Sequence, residues 1–200
     1  MGTEQGRPRF DPERRQRILE AAADLIAERG LHAVRVSDIA TRIGTTNGTV
    51  HYYFPTKDDV LDSAMTWAVE RAVERQGADL RAIDGAYDRL VRLTDLQLPT
   101  SAQVVQEWSI WLQYWTEASL SAALRPAHAD YYSRWQAMVQ AIVERGQRRA
   151  EFRDVDPTMF TEQFSCLFNG AGTQVLAGTM SPERMREVVI GFIDTNLVTP

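Results

Sequence analysis

A cap residue followed at once by proline occurs at Asp11-Pro12, Asp156-Pro157 and Ser181-Pro182, and Pro126 opens a further periodic stretch. An Asp or Ser side chain takes up unpaired N–H groups of a first helical turn, and proline fits there because it has no N–H to lose. Such signals fix where helices begin. After Pro12, the residues Ile18, Ala22, Leu25 and Ile26 recur at helical spacing as far as Gly30. Ser37 can cap a short helix through Ile43, and Thr46 another through Tyr53. Thr56-Lys57-Asp58-Asp59 reads as a capping box opening a fourth helix to about Gln76. Gly77 predicts a break, after which Leu80, Ile83, Tyr87, Leu90 and Val91 form a fifth helix ending near Pro99. Ser101, Pro126, Asp156 and Ser181 open four more, the last running to about Leu197. No alternating strand pattern persists, so the expected fold is all-α with about nine helices.

Composition removes several classes of function. The 200 residues are 44% hydrophobic and 24% charged, the balance of a chain that buries a core. No run approaches the roughly 20 apolar residues of a membrane span, and MGTEQGRPRF lacks the apolar stretch of a secretory leader. A soluble, cytoplasmic protein with no membrane partner is expected. The lone Cys166 excludes an internal disulfide, and His32, His51 and His128 are scattered. No nucleophile, acid/base pair or phosphate loop assembles, so neither enzymatic activity nor a metal or cofactor is expected.

Net charge is −5, but it is unevenly placed: residues 1–60 carry nine basic and nine acidic side chains, residues 61–200 thirteen and eighteen. Between Arg29 and Lys57, Arg35 and Arg42 also stand against a single acid, Asp38, which leaves room for a small basic face. Screening over about 10 Å keeps the distant acids from cancelling it.

The most specific pattern is Ala40, Gly44 and Val50. A small residue at 40 lets a second helix cross closely, Gly44 accommodates a three-residue turn, and Val50 fills the angle with Ile39 and Ile43. This is the spacing of a helix-turn-helix, with Asn47, Thr49, His51 and Tyr52 on the exposed side of its second helix. An ordinary helical hairpin has the same spacing, and from it alone the two readings stand about even.

The run from Ile18 to Met65, ILEAAADLIAERGLHAVRVSDIATRIGTTNGTVHYYFPTKDDVLDSAM, resembles the DNA-binding domain of TetR-family transcriptional regulators. The likeness rests on the helix-one pattern, Asp38-Ile39-Ala40, Gly44 and the ending Tyr53-Phe54-Pro55-Thr56-Lys57. WLQYWTEASLSAALRPAHADYYSRW, EFRDVDPTMF and Phe168-Asn169-Gly170 are similar to the sensor half of choline-responsive betaine-operon repressors. The resemblance implies a homodimer on double-stranded operator DNA and a small organic ligand that alters the spacing of its reading helices. It also implies a DNA-binding domain over residues 1–56 and a ligand-binding and dimerisation domain over 57–200. One departure stands within the motif: relatives usually place tyrosine where this chain has His51. That leaves open a helical dimeric interaction protein with lost or altered DNA binding.

Chemistry distributes the DNA contacts. Thr46 and Lys57, each at a helix start, suit phosphate, and Gly48 lets the helix press close. Asn47, Thr49 and His51 suit base edges, Thr49 through a thymine methyl; Tyr52 can take over the displaced tyrosine's role, and Arg35 can reach either target. Arg7 and Arg9 are candidates for an arm along the phosphates.

In the second domain, Glu107, Trp108, Trp111, Tyr114 and Trp115 recur at helical spacing, as do Tyr131, Trp135, Met138 and Ile142. Together they predict an apolar pocket with one carboxylate, suited to a lipophilic or cationic ligand. Aromatic stripes also form plain core. Two further stripes, Phe160, Phe164, Leu167, Phe168, Ala171 and Val175, then Met185, Val188, Val189, Phe192 and Ile193, are expected to meet a second copy, with intrachain core as the alternative.

Overall fold

The computed structural model describes residues 10–198, so Arg7 and Arg9 lie outside the described residues. Among the described residues there are nine α-helices and no strand. They are α1 (Pro12–Arg29), α2 (Val36–Arg42), α3 (Asn47–Tyr53), α4 (Lys57–Leu80), α5 (Ala86–Leu96), α6 (Ala102–Leu120), α7 (Arg125–Arg148), α8 (Pro157–Leu176) and α9 (Pro182–Leu197). The all-α expectation holds. No helix among the described residues is long and apolar enough to cross a membrane.

Caps set most helix ends. The Asp11 carboxylate accepts the N–H groups of Glu13 and Arg14, Asp156 those of Thr158 and Met159, and Ser181 that of Arg184. Thr56 and Asp59 cap reciprocally: Thr56 N–H donates to Asp59 Oδ2 at 2.9 Å, and Asp59 N–H to Thr56 Oγ1 at 3.1 Å.

Three local expectations are corrected. Ser37 does not cap α2; the cap lies two residues earlier at Arg35, whose N–H donates to Asp38 Oδ2 at 3.1 Å. A short 3-10 turn, Leu31–Ala33, follows α1. Gly77 does not break α4, which runs on to Leu80 because Gln76 and Leu80 are both buried and packing outweighs one glycine's cost of about 1 kcal/mol. The fifth helix therefore begins only at Ala86.

The chain divides into two compact units, Met1–Trp67 and Ala68–Pro200. In the first, Ile18, Ala22, Leu25 and Ile26 of α1 are buried together with Ile39, Ala40, Val50 and Phe54. Gly44, at φ +66°, makes the turn that closes this arrangement, and the Thr45 N–H returns to Ala40 O at 2.9 Å. In the second, one core joins α5 to α9 through Leu90, Leu93, Val139, Val143, Phe164, Phe168, Met185, Val189 and Ile193.

Candidate functional site

Two surfaces carry the candidate chemistry, and the first is α3. Val50 is the anchor that buries one side of this helix, leaving Asn47, Gly48, His51 and Tyr52 exposed and Thr49 half-buried. Thr46 caps it: its Oγ1 accepts the Thr49 N–H at 3.2 Å and lies 3.1 Å from Thr49 Oγ1. His51 Nδ1 lies 3.1 Å from Pro55 O. A carbonyl only accepts, so Nδ1 must carry the proton and a neutral His51 keeps Nε2 as an acceptor. Tyr52 is 46% exposed and packs edge-on against Tyr53 at 5.1 Å. Tyr53 instead turns inward, its hydroxyl accepting the Asp11 N–H at 3.1 Å. Lys57 Nζ donates to His32 O at 3.3 Å, at the edge of the same unit.

The expected basic face is narrower than its sequence. Arg42 is held bidentately by Glu28 at 2.7 and 2.8 Å, which keeps the Glu28 carboxyl below its ordinary range, and Arg29 lies 3.8 Å from Asp38. Among the described residues no carboxylate pairs with Arg35, exposed at the start of α2, or with Lys57.

The second surface is a cavity of about 80 Å³ in the second unit. Glu107, Trp108 and Trp111 of α6, Tyr131 and Trp135 of α7, and Phe168 of α8 line it, with Ala68, Val73 and Gln76 from α4. Trp108 is fixed by a hydrogen bond from Nε1 to Gln97 O at 2.8 Å and stacks on Phe168 at 5.9 Å. Its indole lies where Gly172 leaves space: a Cβ there would come within 2.1 Å of the ring. Trp111 Nε1 donates to Asn169 Oδ1 at 3.3 Å. Among the described residues Glu107 is the only carboxylate in the wall; it accepts from Arg75 Nη2 at 2.7 Å and from Gln103 Nε2 at 3.1 Å. Tyr131 donates to Glu70 Oε1 at 2.9 Å, and burial together with this carboxylate pushes its hydroxyl up to about 12.

The model of the bacterial regulatory proteins, tetR family, matches residues 18–64, and that of the BetI-type transcriptional repressor C-terminal domain matches residues 86–198. The chain belongs to the TetR family of transcriptional regulators. It is similar to the HTH-type transcriptional regulator BetI of Stenotrophomonas maltophilia, at 24% identity over 94% of each chain. It is also 34% identical over 86 residues to the fatty acid metabolism regulator protein of Bacillus subtilis, of which it spans 42%. A transcriptional regulator from Saccharomonospora viridis, solved in complex with choline, matches 95% of this chain and 100% of its own at 44% identity and a TM-score of 0.90. A Rhodococcus sp. TetR-family regulator matches 92% and 98% at 28% identity and a TM-score of 0.81.

As a TetR-family regulator, the protein is a ligand-responsive DNA-binding protein whose helix-turn-helix is α2 and α3. Three residues expected in the pocket do not line it. Tyr114 is fully buried, Trp115 is exposed, and Met138 packs on the core. Tyr114 and Trp115 instead join a ring cluster with His128, at 5.4 Å each, and His128 stacks face-on to Trp111 at 4.9 Å. Tyr132, which lines the cavity, and His128 are absent from the stripes that the spacing singles out. The spacing that selects Tyr131 and Trp135 equally admits 128, 132 and 135, and the sequence holds no signal that ranks the two stripes.

Six of the eight expected dimerisation residues need correction. Phe160, Phe164, Phe168, Ala171, Met185 and Val189 are 0–3% exposed within the chain's own core, and Val175 and Phe192 are half-buried against it. A side chain enclosed by its own unit has no surface left for a partner. The outward faces of the same helices carry Cys166, Gly170 and Thr173 on α8 and Glu187, Gly191 and Asp194 on α9.

Proposed function

We propose that the protein is a homodimeric repressor that grips a two-fold operator through paired α3 helices and releases it when choline, or a close quaternary ammonium relative, fills the cavity. The observation that carries the ligand assignment is the wall. Indole and phenol rings of Trp108, Trp111, Trp135, Tyr131 and Tyr132 line the space, and Glu107 lines both it and the outer cleft. A quaternary ammonium has no N–H to satisfy, so ring faces and one carboxylate answer its whole charge. The 44% identity to a regulator solved with choline supports the same reading. At about 80 Å³ the cavity is well below the roughly 300–1,000 Å³ of drug-sized pockets, which favours a small cation over a long acyl chain.

On the DNA, Asn47, Thr49 and His51 read base edges while Gly48 lets the helix approach, and Arg35 and Tyr52 flank them. Thr46 offers phosphate its backbone amide, its hydroxyl being engaged with Thr49. Lys57 spends one of three donors on His32 O and has two for phosphate. The dimer forms on the outward faces of α8 and α9. Gly170 and Gly191 sit within these helices with no other described element within 4 Å of a Cβ position, so close approach by a second copy explains residues that otherwise cost about 0.5–1 kcal/mol each.

Titrating choline into a complex of the protein with DNA from upstream of its own gene tests the whole reading. The expected result is dose-dependent loss of the retarded band and, in sedimentation, a dimer whose Cys166 is shielded from maleimide. A band indifferent to choline would sink the ligand assignment, and a freely labelled monomer the dimer.

A further inference from the structure

Glu107 faces two ways. It lines the cavity and also the outer cleft formed by Arg71, Glu74, Arg75, Ala78, Arg81 and Gln103. Within that cleft its Oε2 accepts from Arg75 Nη2 at 2.7 Å, so the one carboxylate available to a bound cation is already held by a cation of the protein. We infer that Arg75 is an internal competitor: a cationic ligand binds by taking Glu107 from Arg75, and ligand entry and opening of this α4–α6 ion pair are a single event. The inference rests on the cationic ligand proposed above.

Three observations carry it. The pair is partly solvated, its side chains being 32% and 19% exposed, so water can take over the guanidinium when the carboxylate changes partner. Arg75 is incompletely satisfied where it sits, because its Nε is buried without a hydrogen-bond partner. It also has somewhere to go, since the outer cleft holds Glu74 and opens to solvent. Charge then makes the swap selective. A cation in the cavity is drawn to Glu107 and repels Arg75, whereas an uncharged molecule of the same shape does neither. Arg75 belongs to α4, so a cation and its neutral analogue differ in whether they free α4 from α6.

The test is choline binding to the full-length protein, followed by calorimetry, in wild type, Arg75→Met, Glu107→Gln and the double variant. If the ion pair is closed about nine-tenths of the time, removing Arg75 should tighten choline binding about tenfold. Glu107→Gln should weaken it, and the Arg75→Met gain should vanish in the Glu107→Gln background. Affinity for 3,3-dimethylbutanol, the uncharged carbon analogue of choline, should not respond to Arg75→Met. Arg75→Gln is the second variant should Arg75→Met not fold. Wild type that binds choline with no gain on removing Arg75 overturns the competition. Absence of choline binding in every variant overturns the cation assignment and the competition with it.

Discussion

The reading face of the first unit and the cavity of the second differ in how many parts of the chain must cooperate to make them. On α3 the candidate contacts from Thr46 to Tyr52 are consecutive or nearly so, their orientation set by one buried side, Val50, and one cap, Thr46. The cavity draws residues 68–169 from four helices and the turn after α5, and two of its indoles are held by partners on other elements, Trp108 by Gln97 and Trp111 by Asn169. Exposed residues on a short helix can therefore change with little cost to folding, whereas changes in the cavity wall propagate into the core beside it.

Replacing both Asn47 and Thr49 by Ala should give the largest effect. Each base-reading side chain carries roughly 1–3 kcal/mol of discrimination, so the ratio of operator to nonspecific affinity should fall about 100-fold or more. The melting temperature should move little, since Asn47 is exposed and the cap bond from the Thr49 N–H to Thr46 Oγ1 survives. Competition gel shifts and thermal melts measure the two independently. An unchanged specificity ratio would remove these residues from base reading, and collapse of the fold would break the contrast between the sites.

Gly172→Ala probes the opposite regime. Its Cβ would fall 2.1 Å from Trp108, an aromatic ring pinned by its bond to Gln97, so the ring must shift. Overpacking of this kind costs about 1–3 kcal/mol. We expect a lower melting temperature and weaker choline binding together, with operator preference retained. A variant that melts like wild type and binds choline unchanged would show that the wall yields more readily than the packing implies.

The same contrast governs how much of the molecule is legible in its sequence. Caps and turns are local, so Asp11, Thr46, Gly44 and the Thr56–Asp59 box show as spacing and occupy the places that spacing indicates. Ser37 misleads because a serine near a helix start offers a plausible cap, while Asp38 provides the cap from within the helix. Apolar stripes on α8 and α9 are equally visible, but periodicity gives a buried side without naming what buries it, and here Phe164 and Met185 belong to their own chain's core. Partnership of charges is hidden for the same reason: nothing in the order of residues announces that Arg42 meets Glu28 or that Glu107 meets Arg75.

A smaller effect is expected from Tyr53→Phe, which keeps the ring beside Phe10 and Tyr52 and removes only the acceptor of the Asp11 N–H. The loss should be about 1 kcal/mol, seen as a modest drop in melting temperature. Because Tyr53 faces inward, operator preference should hold. A loss of preference without a loss of stability would move Tyr53 to the reading face.

The smallest effect is a pH dependence at the cavity's edge. His128 stacks on Trp111, and burial pushes its imidazole below the ordinary value of 6.5. The unfolded chain takes up this proton at a higher pH than the folded one, so as pH falls through 6.5 toward the folded value the unfolded state binds more protons and stability declines. The carboxylates held low by arginines, Glu28, Asp79 and Asp84, lose their contribution only at lower pH, beneath ordinary values of 4.5 and 3.8. Between about pH 6.5 and 5 the decline therefore belongs to His128 among these shifted groups. The Trp111 face offsets part of it by attracting the imidazolium. His128→Phe keeps a ring against Trp111 and cannot take the proton, so its melting temperature should change less than that of wild type across this window. Equal declines in the two proteins would place the acid sensitivity elsewhere and leave His128 a packing residue whose buried Nε2 has no titrating consequence.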